Sequence, residues 1–411
     1  MRSSIRPAEL GSGFSEKKEN AMEDSTYYLS ERAGHTSQSE IRSMTFECGK
    51  VNGINLAQGI ADLSVPDPVK RNAQQAIDLG QNVYTSYMGT DPLRSAISEK
   101  LKNYNGIDAD PDKHIVATSG ATGSFYIACM ALLNSGDEFI VFQPYYGYHV
   151  NTLKMLGIKP VYADLAPPSW TFSIADLEKL VTPNTRAILI NTPANPCGKV
   201  FSRQELEAIA DFCVRHDLIV FTDEIYEHFI YKGKQHVSPG SIEKIKDRTV
   251  TISGFSKIFY ITGWRIGYLA CNETWAAAAG QFNDLVYICP PAPLQAGVAG
   301  GLTEIGNAYY EKTQSSYENK RDMICAALDA VGLTPYIPEG AYYVLADTTS
   351  VPGKTVYDKA MHILKKTGVA CVPGNAFYEN GGTDLVRFCF AKEDHIIEKA
   401  CRQIREAGRY L

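Results

Sequence analysis

At 411 residues the chain exceeds the size at which one hydrophobic core keeps growing, so two domains sharing an interface are expected. Hydrophobic residues make up 45% and charged residues 21%, enough for a sizeable core, and a formal net charge of -6 offers no basic field to nucleic acid or anionic lipid. No apolar run approaches the roughly 20 residues of a membrane-spanning helix, and ten scattered cysteines lack the close pairing of a zinc or redox site, so they read as reduced thiols of a soluble cytoplasmic protein without a metal centre.

Taken in chain order, residues 1–20 mix Arg2 and Arg6 with Glu9, Glu16 and Glu19 and hold no apolar stretch, so neither a secretory signal nor a transit peptide fits. Residues 1–45 read as an N-terminal extension, 46–75 as a segment contributing to a small domain and to the site's rim, 76–300 as the large domain, and 301–411 as a C-terminal small domain. Across 111–270 short β-rich apolar runs alternate with helical stretches, the pattern of an α/β fold on a mostly parallel sheet flanked by helices. The strand candidates are 114–118, 139–142, 187–190, 218–221, 249–252 and 266–269. Ser202-Arg-Gln-Glu205 is a capping-box pattern ahead of an amphipathic run, and Ser173 stands similarly before 177–181. Residues 301–411 open with long helical material and then offer 342–345, 369–372 and 385–390 as strands, which makes a smaller α+β domain.

Open parallel sheets bind ligands at the carboxyl ends of their strands, and the segments rich in polar residues and glycine follow the strand candidates. Ser119-Gly-Ala-Thr-Gly-Ser124 opens a helix whose free N–H groups suit a phosphate. A dinucleotide fold would need G-x-G-x-x-G and an acidic residue ending the next strand, where this chain has Phe142-Gln143. In Asn191-Thr-Pro-Ala-Asn-Pro-Cys-Gly198 the prolines and glycine predict a turn. Asp223, in Thr222-Asp-Glu-Ile-Tyr226, reads either as a helix cap or as a carboxylate that keeps a cofactor nitrogen protonated. Lys257, in Ser253-Gly-Phe-Ser-Lys257, would lose solvation among apolar groups and feel the charge of Arg265, and both effects favour a neutral amine able to form an imine. Arg387 interrupts an apolar strand and requires an anion, either an internal carboxylate or that of a substrate.

The run Gly254-Phe-Ser-Lys-Ile-Phe-Tyr-Ile-Thr-Gly-Trp-Arg-Ile-Gly-Tyr268 resembles the cofactor-lysine segment of the class I/II aminotransferases, fold type I enzymes that use pyridoxal 5'-phosphate (PLP). The resemblance extends from about Asn55 to Arg387. It implies Lys257 as the Schiff-base lysine, Arg265 as a phosphate ligand beside Ala121 and Thr122, and Asp223 as partner of the pyridinium nitrogen. Tyr226 and Asn195 become donors to the ring's phenolate oxygen and Tyr146 the aromatic stacked on the ring. Many relatives carry a phosphate-binding serine where this chain has Gly254, which leaves Ser253 or Ser256 for that contact; Cys197 replaces a usual threonine. Arg387 matches the arginine for the substrate's α-carboxylate and Gly59 the glycine whose backbone lies over the substrate. Tyr84 resembles a tyrosine that reaches the phosphate of a neighbouring subunit, implying a homodimer. The implied reaction moves the α-amino group of an L-amino acid to a 2-oxo acid by a ping-pong route, with Lys257 carrying the proton. The same residues also serve PLP-dependent lyases, cyclases and amino-acid oxidases. No second arginine is placed for a dicarboxylate and 286–293 is apolar, which favours neutral or aromatic substrates, with Tyr27, Tyr28, Tyr87 and Ile60 expected near the side-chain pocket.

Overall fold

A computed structural model describes residues 40–408, together with Ser30 and Arg32. The chain divides into units Met1–Ser37 and Gln38–Leu411, and the elements named here belong to the second. Most of the expected N-terminal extension, Tyr27 and Tyr28 included, lies outside the described residues. Helix α1 (Glu40–Lys50) runs across the boundary expected at residue 45 and is followed by β1 (Ile54–Asn55), α2 (Asp67–Asp78) and α3 (Asp91–Lys100). Pro68 and Pro92 sit in the first turns of α2 and α3, where a missing N–H leaves no hydrogen bond unmade.

The central sheet comes next in the chain. Its elements are β2 (Ile115–Ser119), α4 (Gly120–Leu132), β3 (Glu138–Gln143), α5 (Gly147–Met155), β4 (Lys159–Asp164) and α6 (Ile174–Glu178). They continue with β5 (Thr185–Asn191), α7 (Arg203–Arg215), β6 (Ile219–Asp223), β7 (Thr249–Gly254) and β8 (Ile266–Ala270). The strands lie in the order β2-β8-β7-β6-β5-β3-β4. All neighbours are parallel except that β8 runs antiparallel to β2 and β7. The connection 255–265 is too short for the crossover that a parallel return requires, so β8 comes back in the opposite sense. Both faces are covered, and alternate residues of one strand serve opposite faces: Ile188 and Ile190 of β5 join α7's Leu206, Ile209 and Phe212, whereas Ala187 and Leu189 join Phe125 and Phe139 on the other side. Strand β4, not foreseen from sequence, is an edge strand whose residues are mostly only half-buried.

Ser202 and Glu205 form the capping box that their spacing predicts. Ser173 makes no side-chain cap, and α6 stops at Glu178 instead of running through Val181; Pro183 disfavours helical geometry at the residue before it.

The remaining elements are α8 (Glu273–Tyr287), α9 (Ala292–Glu304), α10 (Asn307–Asp329), β9 (Pro335–Tyr336), β10 (Tyr343–Asp347) and α11 (Val356–Thr367). The chain closes with β11 (Val369–Ala370), β12 (Val372–Pro373), β13 (Leu385–Cys389) and α12 (Asp394–Ala407). Strands β12-β13-β10-β9 form an antiparallel sheet, while β1 pairs in parallel with β11. The single strand expected over 369–372 is therefore two short strands, broken at Cys371 and serving different partners. All ten cysteines are free thiols, most of them buried. Among the described residues no helix is long and apolar enough to cross a membrane.

Candidate active site

The carboxyl ends of the strands converge on a cavity of about 110 Å³. The first turn of α4, directly after β2, contributes Ala121 and Thr122, the loop after β3 contributes Tyr146, and that after β5 contributes Asn195. Asp223 and Tyr226 follow β6, and Ser256, Lys257 and Arg265 follow β7. Residues far apart in sequence meet because parallel strands end on the same edge of the sheet.

One part of the cavity is built for an anion. The first-turn N–H groups of α4 receive no side-chain cap. Gly120 has φ +73°, and a Cβ there would lie 2.3 Å from Arg265 Nη2, so only glycine lets the guanidinium lie against this turn. Arg265 is fixed by donating to the carbonyls of Thr262 (3.0 Å) and Ser119 (3.3 Å). At Gly254 a Cβ would sit 3.0 Å from Gly267 Cα and 3.2 Å from the Ile266 carbonyl, so a larger residue needs the backbone to yield. Of the two serines considered in its place, only Ser256 lines the cavity. Ser253 is a correction: its hydroxyl donates to Glu227 (2.8 Å), whose other oxygen lies 2.6 Å from Lys100 Nζ. Glu224 is fully buried and bonded to His236, Ser238 and Thr222.

No helix starts at Asp223, which removes the capping alternative. Its carboxylate accepts from the Ile225 N–H (3.2 Å) and lies 2.9 Å from His149 Nε2. His149 is wedged against Phe125 and Tyr146, with ring centroids at 4.8 and 5.2 Å. Asn191 donates to the Asp223 carbonyl (2.9 Å) and accepts from the Asn195 N–H (2.8 Å), so it ties the proline-rich loop to the end of β6. Sequence reasoning assigned no role to His149 or Asn191. Their signal was position: Asn191 ends β5, and His149 lies in α5, the helix that follows β3.

Arg387 is 1% exposed. Nη1 donates to Asn195 Oδ1 (2.9 Å), Nη2 to the Ala57 carbonyl (2.8 Å), and the Tyr343 and Phe377 rings lie 4.3 and 4.8 Å from the guanidinium. Among the described residues no carboxylate pairs with it, and Nε is buried without a partner. A guanidinium has five N–H donors, so Arg387 retains donors for an incoming carboxylate and the internal-salt-bridge alternative falls. Lys257 Nζ donates to the Gly59 carbonyl (3.3 Å). Burial chiefly, with help from Arg265 and Arg387, lowers its pKa to about 8 despite the opposing influence of Cys389 and Asp223. Gly59 is obligatory for space, since a Cβ there would fall 2.0 Å from the Tyr343 hydroxyl. Tyr84 is 79% exposed and contributes nothing to the cavity of its own chain. Tyr87 and Ile60 also stand outside the lining.

The family model described as aminotransferase class I and II matches residues 51–404. The chain is 34% identical to the aspartate aminotransferase of Pyrococcus abyssi over 93% of its own length and 98% of that protein's. It is also 34% identical to aromatic-amino-acid aminotransferase 2 of Thermococcus litoralis, over 90% and 96% respectively. Among solved structures, N-succinyldiaminopimelate aminotransferase from Mycobacterium tuberculosis superimposes with a TM-score of 0.89 at 30% identity, covering 92% of this chain and all of that one.

Proposed function

The chain belongs to the class I and II aminotransferases, PLP-dependent enzymes that move an amino group from an amino acid to a 2-oxo acid, and from that premise we propose how its own residues divide the work. The observation that carries the assignment is the convergence of Lys257, Asp223, Tyr226, Asn195 and Arg265 on one cavity. The residues suit the cofactor: an uncapped helix N-terminus and Arg265 for its phosphate, a buried carboxylate for its ring nitrogen, and a near-neutral amine for its aldehyde.

Ser256, Arg265, Ala121 and Thr122 hold the phosphate. Asp223, kept in place by His149, partners the ring nitrogen; Tyr226 and Asn195 donate to the ring oxygen, and Tyr146 supplies the aromatic wall. When bound, the cofactor supplies an electron-accepting ring that makes the substrate's Cα–H bond acidic. Lys257 would hold the cofactor covalently through its side-chain amine. Arg387 takes the α-carboxylate with the donors left free, and Asn195 fixes the orientation of the guanidinium. Lys257 then carries the proton away from Cα, as an amine with a pKa near working pH is suited to do. Gly59 keeps its carbonyl within reach of that amine and yields the space a side chain would fill.

Neutral and aromatic amino acids are the proposed donors, a reading supported by the apolar segment 286–293. Residues 76–300 serve as the large cofactor-binding domain and 301–411, joined by 46–75, as the small one, a division supported by the pairing of β1 with β11. Two copies associate through a surface that includes exposed Leu79, Val83, Tyr84 and Leu285, with Tyr84 addressed to the partner's phosphate site. The free thiols accord with a cytoplasmic location.

The test is to add single amino acids to the purified holoenzyme without any 2-oxo acid, following the visible absorption and identifying products by mass spectrometry. Transamination predicts loss of the resting band with one equivalent of the matching 2-oxo acid. Ammonia, an alkene-derived product or peroxide with the band retained would assign elimination or oxidation instead.

A further inference from the structure

Tyr226 follows β6 of the central sheet and Arg387 stands on β13 of the smaller one, yet one side chain touches both. In the register of β10 with β13, Leu345 lies opposite Arg387, and Tyr343, two residues along the same strand, shares that face as a diagonal neighbour. Its hydroxyl is 2.9 Å from that of Tyr226, and its ring lies 4.3 Å from the Arg387 guanidinium. We propose that Tyr343 is a positioning residue of the reaction, which donates to Tyr226 and seats Arg387, so that the cofactor's ring oxygen and the substrate's carboxylate are addressed by groups fixed to one side chain. The inference rests on the reading of Tyr226 as the donor to the ring oxygen.

A phenol has one proton to give. Burial raises both phenols, Tyr226 well above its ordinary value and Tyr343 to about 12, so both stay protonated at working pH. Once Tyr226 donates to the ring oxygen, the 2.9 Å contact requires Tyr343 to be the donor to Tyr226. A hydroxyl that accepts a hydrogen bond donates a stronger one. Tyr343 thereby strengthens the hold on the anionic ring oxygen without touching it. An independent observation bears on the hydroxyl itself: the backbone opposite it is Gly59, where any Cβ would fall 2.0 Å from Tyr343 Oη. A tyrosine present only to fill volume would not need that space beyond its ring.

The test uses the holoenzyme and the pH midpoint of its visible absorption, with Tyr343→Phe, Tyr343→Leu, Tyr226→Phe and the double variant Tyr226→Phe/Tyr343→Phe. A weaker donor leaves the ring oxygen more basic, and the adjoining nitrogen then keeps its proton to higher pH. Tyr343→Phe should raise the midpoint by roughly 0.3–0.5 pH unit, less than Tyr226→Phe does, with KM for the amino donor changed less than about twofold because the ring under Arg387 remains. Tyr343→Leu should also raise that KM by roughly tenfold. In the Tyr226→Phe background the second change should add no shift. A wild-type midpoint in Tyr343→Phe, or a shift that persists in the double variant, overturns the proposal. A midpoint that Tyr226→Phe itself leaves unmoved overturns the assignment of Tyr226, and this proposal with it.

Discussion

Burial lowers the Lys257 amine to about 8, which places its charge change within reach of physiological pH. In the cofactor-free protein, imine formation with a small aldehyde at Lys257 should rise with a midpoint near pH 8, whereas a midpoint near the ordinary 10.5 of a solvated lysine would mean that the amine is not held as described. The sign of the stability linkage follows: between about 8 and 10.5 the unfolded chain binds more protons at this residue than the folded one, so Lys257 makes the apoprotein's stability rise with pH across that window. Arg387 differs in kind, because two ring faces, Asn195 and the Ala57 carbonyl fix the plane of its guanidinium. Arg387→Lys keeps the charge but loses the planar fork, and kcat/KM should fall by roughly 30–100-fold; a loss under threefold would place the carboxylate elsewhere. These two residues were legible from sequence because each carries a contradiction, a cation among apolar neighbours. His149, Asn191 and Tyr343 were not, since a buried histidine, a turn asparagine and a core tyrosine look ordinary until folding places them against Asp223, Asn195 and Tyr226.

At the scale of elements, strand ends and helix starts do the positioning. Gly120 starts α4 in a conformation that side chains rarely adopt, with Arg265 where its Cβ would be. Gly120→Ala should therefore weaken PLP binding by roughly tenfold or more, measured by equilibrium titration of the apoprotein; unchanged affinity would remove α4 from the phosphate site. Ser202→Ala tests a part remote from the cavity: losing the capping box of α7 should cost about 1 kcal/mol in denaturant unfolding and leave kcat unchanged. The sheet's strands were readable because they are short, β-branched and bounded by turns. Burial on both faces erased the alternation that would otherwise mark them, and β4 escaped notice because Lys159, Pro160 and Asp164 dilute its apolar character. The reversed sense of β8 depends on the length of the 255–265 connection, whose consequence appears only once its ends are known to be neighbouring strands.

For the whole molecule, the proposed dimer is tested at its exposed surface. Leu285 is 81% exposed and, with Val83 and Tyr84, belongs to the face proposed to bury against a second copy. Leu285→Asp should shift the sedimentation coefficient from dimer to monomer and lower activity with it, because Tyr84 then reaches no partner site; a stable, active monomer would refute the shared site. Partner contributions are illegible in a single chain's periodicity, which reports which residues leave water and not which subunit covers them. The most direct measurement is to reduce the holoenzyme with borohydride and locate the pyridoxyl group by peptide mass mapping. The account predicts a single label on Lys257, within the segment that links β7 to β8. A label on any other lysine, or no stoichiometric label in an enzyme that still transaminates, would contradict it.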